Sequence, residues 1–191
     1  MEPENPSRYE RRKKRMRDQI KAATASLVVE KGYEALTIQD ITDRIDVARA
    51  TFYLYFRDKD DVIWAILEES IQELNQSLRS EMTSAYQEWH FRKLVRVFEY
   101  AGQHRALLSI MLGDGGHIGL FRKLANYLAR FIQDDIDSGL TPASSAAPTA
   151  VTAQFLAGAT LQVLTWWLES PGQLSAQQIA EQFYALESSM H

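Results

Sequence analysis

Four side chains within seven positions could do chemistry together: Arg49, Thr51, Tyr53 and Tyr55. Each can donate a hydrogen bond to a phosphate oxygen or a base edge. Arg49 suits direct readout best, because its planar guanidinium can bond guanine N7 and O6 together. Such a contact is worth roughly 1–3 kcal/mol of discrimination. Tyr53, one helical turn on, can meet a thymine methyl or a phosphate. Phe52 and Phe56, four apart, supply an apolar stripe between these polar residues and, with Val47, read as core. This is the chemistry of reading a nucleic acid rather than of making or breaking bonds.

The elements that must carry these groups are two short helices and a tight turn, Thr37 to Phe56. Ile38, Ile41 and Ile45 recur at i, i+3 and i+7, one face of a helix. Thr37 is placed to cap that helix, and Asp40 stands where a capping-box acid would. Gln39, near its start, can reach a base. Asp46 and Val47 break the pattern before the second helix begins. A helix-turn-helix of this kind puts a helix N-terminus into the major groove.

The run VARATFYLYFRDK at 47–59, with the approach GYEALTIQDI at 32–41, resembles the recognition helix and its surroundings in TetR-family transcriptional regulators. The close resemblance covers roughly residues 16–75, and the turn, aromatic and lysine spacings match together. Beyond residue 80 only the general all-helical plan is similar. The resemblance implies that Thr37, Thr51, Tyr55 and Lys59 match positions that grip phosphates, with Ala50 beside them on the recognition helix. Tyr55 has a rival reading as packing under the next helix, and Lys59 as a solvated first-turn lysine. Two positions depart from the family pattern. Asp46 stands where a glycine is usual, and aspartate tolerates the left-handed conformation better than most residues. Ala48 stands where a serine or threonine commonly caps the recognition helix and touches phosphate.

Charge supports a reader of DNA through its distribution. Formal net charge is -4. Residues 1–59 hold 13 Lys+Arg against 10 Asp+Glu, and residues 60–191 hold 8 against 15. A basic N-terminal part on an acidic remainder suits a DNA-reading head on a body with other work. There is no cysteine, which fits a reducing, cytoplasmic location and leaves no disulfide or thiolate site. No apolar run approaches the ~20 residues of a membrane span, and the charged N-terminus lacks a signal-peptide core. His90, His104, His117 and His191 form no i, i+4 pair, so neither a metal nor another cofactor is expected.

The fold class expected is all-α, about nine helices. Residues 1–14 read as a disordered lead and basic arm, 15–60 as the head, and 61–191 as a helical ligand-binding and dimerisation body. The basic arm reads equally as a solvated helix extension or as a phosphate or minor-groove contact. Helix 1 is expected from about Arg15 to Lys31, stopped by Gly32. Asp58 reads as the cap of a long helix 4. In the body, helix 5 is expected from about Thr83 to Gly102, and helix 6 from Gln103 to Leu112. Helix 7 carries the stripe from Ile118 to Ile136. A small-residue loop spans 138–148, and helix 8 runs to about Glu169. Ser175 with Gln178 gives a capping box for helix 9. Helix 8 is apolar on all sides, which requires burial on more than one. A second copy of the chain is the simplest cover, and the resemblance likewise implies a homodimer through helices 8 and 9.

Twelve of the body's fourteen aromatic residues, from Trp64 to Trp167, could line a small-molecule site or simply fill a core. The resemblance implies an effector pocket framed by helices 4 to 8, for which Trp89, Phe98, Phe121, Tyr127, Phe155 and Trp166 are candidates, with His117 as a polar contact. The reading is a ligand-responsive repressor released from a palindromic operator when ligand moves helix 4. An enzyme is disfavoured: there is no G-x-S-x-G, no phosphate loop, and no strand before GDGG at 113–116. A helical adaptor leaves the constellation from Arg49 to Lys59 unexplained. A regulator that activates, or that takes no ligand, stays open.

Overall fold

The computed structural model describes residues 7–80, 86–113, 118–141, 147–170, 172 and 174–189. Among them are nine α-helices and no strand. They are α1 (Arg8–Lys31), α2 (Ile38–Arg44), α3 (Arg49–Tyr53), α4 (Lys59–Ser80), α5 (Tyr86–Gln103), α6 (Arg105–Leu112), α7 (Ile118–Asp137), α8 (Thr149–Glu169) and α9 (Ala176–Ser188). The chain divides into two compact units between Ile71 and Gln72, inside α4. This lies later than the 60/61 boundary expected from sequence, because the first half of α4 buries Val62, Ile63 and Leu67.

In the N-terminal unit, local chemistry sets the helix ends. The helix α1 starts at Arg8, seven residues before the expected Arg15. Ser7 and Glu10 form a capping box there, with Ser7 N–H donating to Glu10 Oε2 at 2.7 Å and Glu10 N–H to Ser7 Oγ at 3.2 Å. Residues 8–14 are therefore helix, and residues 1–6 of the expected lead lie outside the described residues. Gly32, at φ 81°, ends α1. Thr37 and Asp40 form the box that starts α2. The turn to α3 puts Asp46 at φ 52°, the left-handed conformation usual for glycine. No side chain caps α3: Ala48 has extended backbone and no hydroxyl or carboxylate to offer. Asp58 does cap α4, accepting from Asp61 N–H at 2.8 Å. Ile20, Val28, Leu36, Ile41, Phe52 and Ile63 fill the core beneath.

In the C-terminal unit, α7 packs along α8, α5 against α9, and α6 against α8. Helix α5 starts at Tyr86; Thr83, the expected start, lies outside the described residues, as do 142–146 of the expected loop. Helix α8 buries Leu156, Ala157, Leu161, Leu164, Trp167 and Leu168 on one side. Its C-terminus is capped from another helix. Arg105 of α6 donates to the carbonyls of Trp167, at 2.9 Å, and Leu168, satisfying acceptors that the helix leaves open. Its guanidinium lies over the Trp167 ring.

Candidate nucleic-acid interface

The second half of the helix-turn-helix presents a narrow outward face. Arg49 and Ala50 are exposed, as are Tyr53 and Leu54 one turn later. Arg49 Nη2 donates to Tyr53 Oη at 3.3 Å, across one turn of α3. The pair gives an arginine fork steadied by a phenol, both open to solvent. Leu54 is 77% exposed. Sequence reasoning misses it, because an apolar residue between two tyrosines reads as core. Thr51 is half-buried, and so is Tyr55.

What positions this face is a bond no local pattern announces. Arg17 of α1 donates from Nη1 to the Tyr55 carbonyl at 2.9 Å, and its guanidinium lies 4.3 Å from the centre of the Phe56 ring. The carbonyl just past α3 is thus held by a residue 38 positions earlier. From below, Phe52 is fully buried and meets Tyr53 edge-on, 5.6 Å between centroids.

Three of the expected phosphate or base contacts are already engaged. Lys59 Nζ donates to the carbonyls of Tyr33, at 2.9 Å, and Leu36, at 3.2 Å, and lies over the Tyr33 ring. An ammonium has three donors, so two are spent tying the α1–α2 turn to the start of α4. Asp60 reinforces that tie by accepting from Tyr33 Oη. Burial first, and this carboxylate second, raise the phenol above its usual range. Thr37 Oγ1 is bound to Asp40 in the cap, donating at 2.6 Å and accepting from Asp40 N–H at 3.1 Å. Gln39 Nε2 donates to Asp43 at 2.5 Å along the surface of α2. Surface ion pairs fix the frame: Lys31 on Asp40 at 2.6 Å, and Arg44 on Glu30 at 2.6 Å. The Lys31 bond, then Thr37, holds the Asp40 carboxyl at about 2. Arg44, then Ser26, does the same for Glu30.

The body residues expected to line an effector pocket are split between core and surface. Trp89 and Phe98 are buried: the Trp89 indole donates to the Leu78 carbonyl at 3.2 Å, and Phe98 sits edge-on to Trp167 and Phe183. Phe121 and Tyr127 on α7 are half-buried. Phe155 and Trp166 lie on the outer surface of this chain, at 53% and 46% exposed. Eleven residues apart on α8, they share the face opposite its buried side. His117 lies outside the described residues. Two buried charge clusters have no signature in the sequence. Asp135, 3% exposed, accepts from Lys93 at 3.1 Å and Arg79 at 3.4 Å. Glu187 meets His90 at 2.8 Å, beside Tyr86, whose phenol burial pushes up to about 12. Among the described residues no group of three metal-ligating side chains occurs, and no helix is long and apolar enough to cross a membrane.

A capped three-helix head with an exposed polar α3, followed by an all-helical body, defines the class of helix-turn-helix regulators. Residues 20–66 match the family of bacterial regulatory proteins known as tetR, and residues 87–188 match a transcriptional regulator C-terminal region. The chain belongs to the TetR family. YxbF of Bacillus subtilis (strain 168), an uncharacterized HTH-type transcriptional regulator, is 23% identical over 181 residues. That alignment takes in 89% of this chain but 44% of YxbF, so the chain spans under half the length of this curated relative. Two solved structures share the fold. A protein assigned to the TetR family from Syntrophomonas wolfei superposes with a TM-score of 0.72 at 21% identity, over 92% of this chain and 94% of that one. The transcriptional regulator FadR of Bacillus subtilis, in complex with stearoyl-CoA, gives 0.64 at 18%, over 91% and 98%.

Proposed function

We propose that this chain is a sequence-specific, DNA-binding transcriptional regulator that acts as a homodimer in the cytoplasm and is released from a palindromic operator by a small hydrophobic effector. The observation that carries the DNA half is the exposed Arg49–Tyr53 pair at the start of α3, braced by Arg17 and by two capped helices. Arg49 reads guanine, Tyr53 and Ala50 flank it, Thr51 and Tyr55 contribute backbone or base-edge contacts, and Thr37 and Gln39 do so by exchanging their bonds to Asp40 and Asp43. Lys59 adds at most its one remaining donor. Dimerisation uses α8 and α9: Val151, Phe155 and Trp166 form an apolar stripe on the outer face of α8, and Leu186 is exposed on α9. A second copy covers them, giving two heads for half-sites about one DNA turn, or a small multiple, apart.

The effector reading draws support from the FadR relative and its bound stearoyl-CoA, and from the half-buried Phe121 and Tyr127 on α7 of this chain. An effector can release the operator only by binding one conformational state better than the other. The deciding experiment is selection of random duplex DNA by the purified protein at ~150 mM salt, where non-specific phosphate binding is already weakened. A recovered palindrome establishes a dimeric reader and provides the probe for an acyl-CoA and fatty-acid screen. A folded dimer that enriches no sequence defeats the reading and favours an adaptor.

A further inference from the structure

We propose that Arg8, Arg11, Arg12 and Arg15 form a second DNA-contact surface, a rigid arginine stripe that grips the sugar-phosphate backbone outside the bases read by α3. The proposal rests on the DNA-reading function above and extends it to a surface that the helix-turn-helix does not include.

The spacing is i, i+3, i+4 and i+7, which lays four guanidiniums along one face of α1. All four residues are exposed. The stripe covers about 10 Å of helix axis, a length over which B-DNA carries on the order of six phosphate charges. Little opposes it. Glu10 is the one acidic residue among 8–17, and its carboxylate is engaged in the cap at Ser7. Asp18, the next acid, is paired with Lys21 at 2.9 Å.

Shape decides how DNA is met. A basic arm that enters the minor groove does so as extended chain. Here the arm is helical, and its capping box holds the first turn against fraying. An α-helix with side chains is roughly 10–12 Å across, and the minor groove is about 6 Å wide. The stripe therefore contacts phosphates from outside the groove. Continuity argues for DNA over any other polyanion. The helix that carries the stripe also carries Arg17, on the opposite face, whose bond to the Tyr55 carbonyl fixes α1 against the end of α3. A head docked through α3 brings the stripe along in a set orientation.

The test compares wild type, an R8Q/R12Q/R15Q variant and an R8K/R12K/R15K variant on the selected duplex, with log Kd measured against log salt. Every phosphate that a variant no longer neutralises should make the slope shallower by about 0.9. The glutamine variant is expected to bind more weakly, with a slope shallower by one to three such steps and unchanged base preference. The lysine variant should keep the wild-type slope, and the glutamine defect should vanish on a duplex trimmed to the two half-sites. A glutamine variant with the wild-type slope overturns the stripe while leaving the α3 reading intact. A lysine variant as defective as glutamine also overturns it, since charge would then not be the cause. Wild type that selects no duplex removes the DNA reading itself. Loss of binding to anionic phospholipid vesicles in the glutamine variant, with the DNA slope unchanged, assigns the stripe to a lipid surface and overturns the proposal.

Discussion

The two units handle charge in opposite ways. In the N-terminal unit the carboxylates of the ion pairs keep contact with solvent: Glu30 with Arg44, Asp40 with Lys31, and Glu69 with Lys21, whose own side chain is mostly buried. Its buried polar groups, among the described residues, are neutral: Thr24 and Thr42, each donating its hydroxyl proton to its own helix backbone. In the C-terminal unit, carboxylates are buried and paired across helices, Asp135 with Lys93 and Arg79, Glu187 with His90. Exposed pairs contribute little stability and are screened by salt. Buried pairs are costly to break, because the survivor is left desolvated. The head thus keeps most of its cations where a polyanion can recruit them, Arg17, Lys21 and Lys59 excepted. The body uses its charges to fix which helices meet.

The largest effect expected from this contrast is on the stability of the body. Replacing Asp135 with Ala leaves Lys93, over four-fifths buried as a side chain, without its carboxylate. About 3 kcal/mol of unfolding free energy should be lost, the lower end for a broken buried pair, since Arg79 is more than half exposed. Urea denaturation of the purified chain measures it. A loss under about 1 kcal/mol, the range of an exposed pair, would mean that Lys93 reaches water, and the contrast with the head would weaken.

The matching change in the head should leave stability alone and alter recognition. Arg49→Ala should cost roughly 1–3 kcal/mol of discrimination, about a 5- to 150-fold narrowing between selected and scrambled duplexes. Melting should stay put, because Arg49 is exposed and its hydrogen bond goes to Tyr53, itself exposed. Undiminished preference would move the reading role to another residue of that face, with Tyr53 and Leu54 next.

These contrasts also explain what is legible in the sequence. Helix ends in the head depend on residues three apart, so Thr37 with Asp40, and Ser175 with Gln178 in the body, are visible in a linear reading. Ser7 with Glu10 has the same spacing and is equally legible; the dense basic run beside it masks the signal, and the expected start of α1 falls too late. Asp46 is readable as the turn residue because few side chains accept a positive φ. Long-range ties are not readable. Nothing near Arg17 points to Tyr55, nor near Arg105 to the end of α8. Lys59 illustrates the point: its partners, the Tyr33 and Leu36 carbonyls, are backbone atoms more than twenty residues away. On α8, the even spread of apolar residues conceals which face looks out. Packing of α7 and α6 against one side decides that.

Acid should separate the units further. Glu30 and Asp40 are both held at about 2 in the folded head, against about 4 for free carboxylates. A carboxyl lowered by folding stabilises the fold above its unfolded pKa, and that contribution fades as pH falls through the folded value. The head should therefore lose stability progressively between about pH 4 and pH 2. Thr37→Ala removes one of the bonds that holds Asp40 down. It should cost about 1 kcal/mol at neutral pH and flatten the acid response. Hydrogen exchange of α2 amides against pH distinguishes this from general acid unfolding. An acid response in Thr37→Ala identical to wild type would leave Lys31 and the backbone N–H of residue 37 as the causes of the shift.

The smallest effect tests the start of α3, which no side chain attends. Ala48 has the extended backbone of an N-cap, φ -66° and ψ 143°, yet no side-chain oxygen. Its carbonyl already takes the Thr51 N–H at 2.8 Å, so a hydroxyl at 48 would serve chiefly the Ala50 amide. Ala48→Ser should raise stability by roughly 0.5–1 kcal/mol, the usual worth of such a cap. The informative quantity is what happens to operator affinity at the same time. A gain in both means that the hydroxyl also reaches phosphate, and that this chain gave up a contact by carrying alanine. A gain in stability alone places the N-terminus of α3 far enough from the DNA backbone that Arg49 must make the approach by itself. That outcome would enlarge the share of binding carried by the arginine side chains and sharpen the division between a head that reads through exposed cations and a body that buries carboxylates in pairs across its helices.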